Sequence, residues 1–180
     1  MIKLFIADDH ELFREGLKSL LSREKDIEIV GSASDGLEAV NAVRRLKPEV
    51  VLMDVTMPNM NGIQATAKIC SELPDIAVIV ISMHNDRRFI AEALKAGARG
   101  YVLKESSPEL MLDAIRTVSR NEVFFSPKVC TVLVSDYLRL LGNEEVGRAS
   151  PLSEREMEVL QLLVKAVSYT HLTLPTICSV

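Results

Sequence analysis

Residues 50–54 read Val-Val-Leu-Met-Asp, an uninterrupted apolar run that ends on a carboxylate. A strand that is apolar at every position buries both of its faces, as the strands of parallel sheets do. A second run of this kind covers Ile76–Ile81 and is followed by Ser82. Together, the two runs predict a parallel sheet that is covered by helices on both sides.

The first 120 residues repeat this alternation of a strand-length apolar run and an amphipathic stretch of helical length. The predicted strands cover Ile2–Ala7, Glu28–Ser32, Val50–Met53, Ile76–Ile81 and Gly100–Leu103. The predicted helices cover Leu12–Leu21, Asp35–Leu46, Ile63–Leu73, Arg87–Ala96 and Pro108–Arg120. Five such units favour a doubly wound, flavodoxin-like α/β domain over residues 1–120, with a five-stranded parallel sheet in the order 2-1-3-4-5.

Polar side chains follow the predicted strands at the edge where such sheets bind ligands. They are Asp8, Asp9, Asp54, Ser82 and Lys104. Clustered carboxylates repel one another unless a cation lies among them, and hard oxygen ligands suit Mg²⁺. A carboxylate can also attack phosphorus while a metal and an ammonium neutralise the phosphoryl oxygens. The set therefore predicts a magnesium-dependent phosphoryl site, although each residue taken alone also fits a helix cap, a turn or a solvated surface position.

Four segments of the sequence resemble the receiver domain of two-component response regulators, specifically those of the NarL/FixJ type. They read IADDHELFREGL, VVLMDVTMPNMNGIQAT, VIVISMH and ALKAGARGYVLKESSPELMLDAI. The resemblance covers residues 2 to about 120. It implies that a sensor histidine kinase phosphorylates Asp54, and that the protein is a phospho-acceptor and not an enzyme, apart from autophosphorylation and slow autodephosphorylation.

The same resemblance assigns roles to the residues around Asp54. It implies that Mg²⁺ is held by Asp8, Asp9, Asp54 and the backbone carbonyl of Thr56. It also implies that Lys104 and Ser82 bind the phosphoryl group, and that Tyr101 turns inward when Ser82 moves. The helix at Arg87–Ala96, the fifth strand and Tyr101 would then form a readout face, which favours homodimerisation on phosphorylation.

Three further side chains flank the site. Met83 directly follows Ser82 and is bulky, so it is predicted to limit access to the phosphoryl site. Thr56 and His84 are predicted to tune hydrolysis of the acyl phosphate, with metal ligation by His84 as an alternative. His10 is assigned to the start of the first helix.

The alternation ends after Arg120. Residues 121–149 are predicted to be a linker in which Asn121–Pro127 is a loop and Pro127–Leu141 a single amphipathic helix. Residues 150–166 open with a capping box and resemble the first helix of a LuxR-type helix-turn-helix domain, an all-α unit that is incomplete here. No recognition helix and no basic surface follow, so no DNA-binding residue is predicted, and DNA is expected as a partner of a full-length parent only.

The last fifteen residues contain no Asp, Glu, Lys or Arg, although charged residues make up 26% of the chain. Residues 167–176 (VSYTHLTLPT) match the translation of GTC TCT TAT ACA CAT CTG ACG CTG CCG ACG, which resembles a transposase-type sequencing adapter. Residues 167–180 are therefore expected to be a non-native tail, and the true sequence is expected to differ beyond about residue 165.

Composition and net charge limit the classes of protein that fit this sequence. Hydrophobic residues make up 48% and the net charge is −4, which fits a soluble globular protein better than one that coats nucleic acid or membrane. Three widely spaced cysteines favour a reducing compartment, and no signal peptide or membrane span is evident. A cytoplasmic protein without a membrane partner is expected.

Two other functions stay open from the sequence. A stand-alone receiver could act in a phosphorelay or by binding another protein. An aspartate-nucleophile, magnesium-dependent phosphohydrolase of the haloacid dehalogenase type would also use a strand-end aspartate. That family has a second aspartate two residues after the nucleophile, and Thr56 occupies the position here.

Overall fold

A computed structural model of the chain describes residues 1–143, and these residues contain one six-stranded parallel sheet. Its strands are β1 (Ile2–Ala7), β2 (Ile27–Ala33), β3 (Val50–Asp54), β4 (Ala77–Ser82), β5 (Gly100–Leu103) and β6 (Phe124–Phe125). The order β2-β1-β3-β4-β5-β6 confirms the predicted flavodoxin-like arrangement of the first five strands. Register pairs Ala7 with Met53 and Asp54 with Ile81, which aligns the ends of β1, β3 and β4 at one edge.

Within residues 1–143, six helices follow the strands. They are α1 (Glu11–Leu21), α2 (Gly36–Leu46), α3 (Gly62–Glu72), α4 (Arg87–Lys95), α5 (Pro108–Ser119) and α6 (Pro127–Asn143). Short polar side chains begin three of them, since these side chains accept bonds from otherwise unpaired backbone amides. Asp35 caps α2, Asn61 and Gln64 form a capping box at α3, and Ser107 caps α5 ahead of Pro108.

Alternate residues of each central strand enter one of two apolar clusters. Leu4, Leu52 and Ile79 belong to the cluster with α1 and α5. Phe5 and Val51 belong to the cluster with α2 and α3. Because helices cover both faces, the central strands are apolar throughout, which is the pattern that Val50–Met53 showed.

Strand β6 was not predicted, and the assignment of Asn121–Pro127 to a loop is wrong at Phe124–Phe125. The Phe124 amide donates to the Arg99 carbonyl at 3.0 Å, and the Ser126 amide donates to the Tyr101 carbonyl at 3.1 Å. Two residues are too few to show an apolar period, so only the backbone pairing reveals this strand.

The chain divides into two compact units, residues 1–132 and residues 133–180. The first contains the sheet and α1–α5, and the second is described only over the part of α6 that ends at Asn143. The predicted helix at 150–166 and the tail at 167–180 lie outside the described residues. Within residues 1–143, no helix is both long and apolar enough to cross a bilayer.

Candidate functional site

Three charged side chains meet at the carboxyl edge of the sheet. Lys104 follows β5, and its Nζ lies 2.7 Å from Asp8 Oδ2 and 2.8 Å from Asp54 Oδ2. All three side chains are at least 95% buried. The sheet order explains this meeting, because β1 and β3 are neighbours and the lysine reaches across the end of β4. The convergence expected of these three residues is therefore present.

Asp9 and His10 form the open side of the same cluster. His10 Nδ1 lies 2.8 Å from Asp9 Oδ1 and 3.5 Å from Asp8 Oδ1, and the His10 backbone amide donates to Asp8 Oδ1 at 2.9 Å. His10 is the N-cap residue of α1, as its assignment to the helix start implied, but its side chain makes no capping bond. Its imidazole faces the carboxylates instead.

Burial dominates the electrostatics of Asp54. Loss of water raises the pKa of its carboxyl group to about 6, and the charge of Asp8 acts in the same direction. The hydrogen bond and charge of Lys104 lower the pKa, as does the Thr56 amide, which donates to Asp54 Oδ1 at 3.4 Å. Lys104 and Thr56 only partly offset the increase in the pKa that burial and Asp8 cause. Asp54 is still mostly ionised at pH 7 to 8 and can act as a nucleophile.

The cluster also fits a divalent cation. One ligand atom from each of Asp8, Asp9, His10 and Asp54 lies within 4.8 Å of the others. Asp8 Oδ2 is fully buried, and although Lys104 contacts it at 2.7 Å, the alignment is not that of a hydrogen bond. Three carboxylates against one ammonium leave excess negative charge, so the donor set is compatible with Mg²⁺.

The loop from β3 to α3 holds Asp54 against the start of α3. The Gly62 amide donates to the Val55 carbonyl at 2.9 Å, and a Cβ at residue 62 would overlap the Asp54 carbonyl oxygen. Thr56 lies in this loop with an exposed side chain. A glycine is therefore required for the close approach of α3 to the end of β3.

Ser82, His84 and Tyr101 are joined by hydrogen bonds at the end of β4. The His84 amide donates to Ser82 Oγ at 3.0 Å, and the Tyr101 hydroxyl donates to the His84 carbonyl at 2.8 Å. Tyr101 is 1% exposed, and burial raises the pKa of its phenol. Tyr101 therefore occupies an inward position, in contact with the loop that follows Ser82.

The other two flanking residues lie on the surface. Met83 is 70% exposed, which leaves its side chain free to lie over the approach to the edge. The His84 ring is exposed and stacks on Phe89 at a centroid distance of 5.3 Å. Among residues 1–143, the candidate metal ligands include His10 but not His84.

Sequence reasoning missed two contacts from the first helix. The ring centroid of Phe13 lies 4.9 Å from Lys104 Nζ, a cation–π distance, and Arg14 Nη1 donates to the Asp8 carbonyl at 2.6 Å. The sequence pattern placed Phe13 on the apolar face of an amphipathic helix. A residue on that face is expected to pack in the core, so the contact of Phe13 with Lys104 was not predicted. Its position one turn after Asp8 and Asp9 is the only sequence signal for that contact.

Known proteins are similar to this chain in both sequence and fold. Residues 4–116 match the family described as "Response regulator receiver domain". The chain is 38% identical to Transcriptional regulatory protein DegU of Brevibacillus brevis, over 93% of this chain and 76% of that protein. It is 36% identical to Oxygen regulatory protein NreC of Staphylococcus carnosus, over 91% of this chain and 77% of that protein. A LuxR-family two-component response regulator from Aurantimonas superposes with a TM-score of 0.74 and 30% identity, over 77% of this chain and 99% of that chain.

Proposed function

Since the chain belongs to the response regulator family and carries a receiver domain over residues 4–116, we propose that it stores a signal as a phosphoryl group on Asp54. The observation that carries this proposal is the contact of Lys104 Nζ with both Asp8 and Asp54 at a buried strand edge. An ammonium held there can pair with a phosphoryl oxygen as soon as one arrives.

The donor we propose is a phosphohistidine of a sensor histidine kinase. An Asp54 carboxylate oxygen forms the new bond to phosphorus, the phosphorus–nitrogen bond breaks, and its electron pair returns to the imidazole of the kinase. Asp8, Asp9, Asp54 and the Thr56 carbonyl would hold Mg²⁺, which supplies charge neutralisation for the phosphoryl oxygens. Lys104 supplies the second positive charge.

The response to phosphorylation would start at Ser82. A phosphoryl group adds charge and acceptor oxygens that the Ser82 hydroxyl and Lys104 can bind only in that state. In the structure, the Ser82 hydroxyl accepts a hydrogen bond from the His84 amide, and the His84 carbonyl accepts one from the Tyr101 hydroxyl. Movement of Ser82 would therefore be transmitted to Tyr101 and to α4, while Met83, Thr56 and His84 would tune access and hydrolysis.

Partners and cell location follow from the same proposal. The surface around α4, β5 and Tyr101 would support homodimerisation of the phosphorylated form. The parent protein would be a cytoplasmic transcription factor, in keeping with the name of its relative in Brevibacillus brevis. Its output would be a LuxR-type helix-turn-helix domain, with residues 121–149 as the linker and residues 150–166 as the first helix.

Phosphorylation by a small donor tests the proposal. With acetyl phosphate and Mg²⁺, the protein should gain one phosphoryl group on a phosphate-affinity gel, and Asp54→Asn should gain none. Asp75→Asn is the matched control, because it removes an exposed carboxylate that precedes β4 at the opposite edge of the sheet. Equal labelling of Asp54→Asn would contradict the proposal, and repeated turnover of p-nitrophenyl phosphate would favour a hydrolase.

A further inference from the structure

His10 lies at ligand-to-ligand distance from the carboxylates of the proposed metal site. In an octahedral site with bonds of about 2.1 Å, neighbouring ligand atoms are about 3 Å apart and opposite ones about 4.2 Å apart. His10 Nδ1 lies 2.8 Å from Asp9 Oδ1 and 3.5 Å from Asp8 Oδ1. Both distances suit adjacent positions around one ion.

The backbone fixes residue 10 in this place. The His10 amide donates to Asp8 Oδ1 at 2.9 Å, which ties the start of α1 to a fully buried carboxylate. The other oxygen of that carboxylate, Asp8 Oδ2, lies 2.7 Å from Lys104 Nζ, which also lies 2.8 Å from Asp54 Oδ2. One ammonium thus faces two buried carboxylates, and Asp9 adds a third carboxylate beside the His10 imidazole, so the cluster keeps an excess of negative charge that a divalent cation would neutralise.

We infer that His10 is an additional protein ligand, and that it gives this site a preference for zinc-like divalent cations over Mg²⁺. The inference rests on the proposed function, because the same carboxylates would hold the cation in both. Mg²⁺ favours oxygen ligands, whereas imidazole nitrogen suits Zn²⁺, Ni²⁺ and Cu²⁺. A site made of carboxylates alone would gain less from exchanging Mg²⁺ for one of these ions.

The second histidine near the site provides a matched control. His84 lies just after β4, but its ring stacks on Phe89 at an interplanar angle of 23°, and it is not one of the four clustered residues. Replacing either histidine with Gln removes one surface imidazole and leaves a polar side chain. Only His10→Gln should change the choice of metal.

Calorimetric titration with Mg²⁺ alone and with Zn²⁺ alone measures that choice, using the full chain at one fixed pH. We expect His10→Gln to lower the ratio of Zn²⁺ affinity to Mg²⁺ affinity by roughly tenfold or more, while Mg²⁺ affinity changes by less than about twofold. His84→Gln should keep the ratio of the unchanged protein. An unaltered ratio in His10→Gln, or an equal fall in His84→Gln, would overturn the inference.

A spectroscopic measurement tests the ligand directly. Zn²⁺ is diamagnetic, so in protein labelled with ¹⁵N-histidine it should shift the His10 Nδ1 resonance, and a shift confined to other histidines would count against the inference. Labelling by acetyl phosphate with Mg²⁺ distinguishes a failure of this inference from a failure of the proposed function. Protein that is labelled on Asp54 but shows no His10-dependent zinc preference refutes only this inference, whereas protein that is never labelled refutes the proposed function.

Discussion

Lys104 Nζ and Asp54 Oδ2 lie 2.8 Å apart at the ends of β5 and β3, and both side chains are almost fully buried. An ion pair of this kind usually keeps a carboxylate strongly acidic. Here the pKa of Asp54 is nevertheless raised to about 6, because burial and the charge of Asp8 outweigh the lysine. Ionising the Asp54 carboxyl group, the proposed phosphoryl acceptor, therefore costs more free energy in the folded protein than in the unfolded chain.

The first prediction concerns stability against pH. Folding raises the pKa of Asp54 from 3.8 to about 6, so this group contributes stability that is complete below about pH 4 and is lost as the pH rises through 6. A shift of this size corresponds to about 3 kcal/mol. Asp54→Asn has no such group, so the free energy of unfolding of the variant minus that of the unchanged protein should be about 3 kcal/mol larger at pH 8 than at pH 4.

Urea unfolding at a series of pH values, with EDTA present, measures this difference. Comparing the two proteins is necessary because other carboxylates, whose pKa values are lowered by folding, make the protein more stable as the pH rises. The pKa of Asp26 is lowered by its bond to Arg116, and that of Glu15 by its bond to Lys18. Those contributions cancel between the two proteins. A difference in unfolding free energy that is the same at pH 4 and pH 8 would refute the prediction.

The second prediction isolates the lysine. Lys104→Met removes the hydrogen bond and the charge that lower the pKa of Asp54, and it leaves burial and Asp8 unopposed. The pKa of Asp54 should therefore rise above 6, as read from its side-chain carboxyl ¹³C resonance during a pH titration. Lys128→Met is the control, since Lys128 Nζ pairs with Glu105 at 2.6 Å on the surface. An unchanged or lower pKa in Lys104→Met would contradict this account.

Much of this site could be predicted because strand ends are visible in sequence. The carboxylates of Asp8 and Asp54 end apolar runs, and parallel strands bring such ends to one edge. Lys104 follows a run of only four residues, Gly100–Leu103, yet the repeated alternation of strands and helices fixed its place. Chain order and polarity together were enough for these three residues.

Side-chain direction could not be predicted in the same way. His10 was assigned to the helix start, where a polar residue usually caps, yet its imidazole faces Asp9. Phe13 fitted the apolar face of α1, and its ring also lies against Lys104. The short strand at Phe124–Phe125 is defined by its backbone pairing with β5 and has no pattern of its own. Each case depends on three-dimensional neighbours that periodicity does not encode.

The third prediction concerns access to the phosphoryl site. Met83 follows Ser82 directly, and its side chain is 70% exposed and packs into neither apolar cluster. Met83→Ala should therefore increase the rate of phosphorylation by acetyl phosphate or phosphoramidate without loss of stability. The rate is measured by intact-protein mass spectrometry over time. Met83→Leu keeps most of the bulk and should retain the original rate, and identical rates for all three proteins would exclude a role in access.

The last prediction tests the close approach of α3 to the phosphorylation site. A Cβ at residue 62 would overlap the Asp54 carbonyl oxygen, and backbone cannot give way as a flexible side chain can. Gly62→Ala should therefore lower the free energy of unfolding by about 1–3 kcal/mol. It should also slow phosphorylation, because relief of the overlap moves Asp54 relative to Lys104.

Gly16→Ala provides the opposite case within the same fold. Gly16 lies in α1, and a methyl group added there would meet no neighbouring atom within 4 Å, so alanine adds helix propensity without any clash. Its free energy of unfolding should rise by about 0.5–1 kcal/mol. Urea unfolding of both variants under the same conditions gives the comparison. If Gly62→Ala were as stable as Gly16→Ala, then the contact between α3 and the end of β3 would not constrain Asp54.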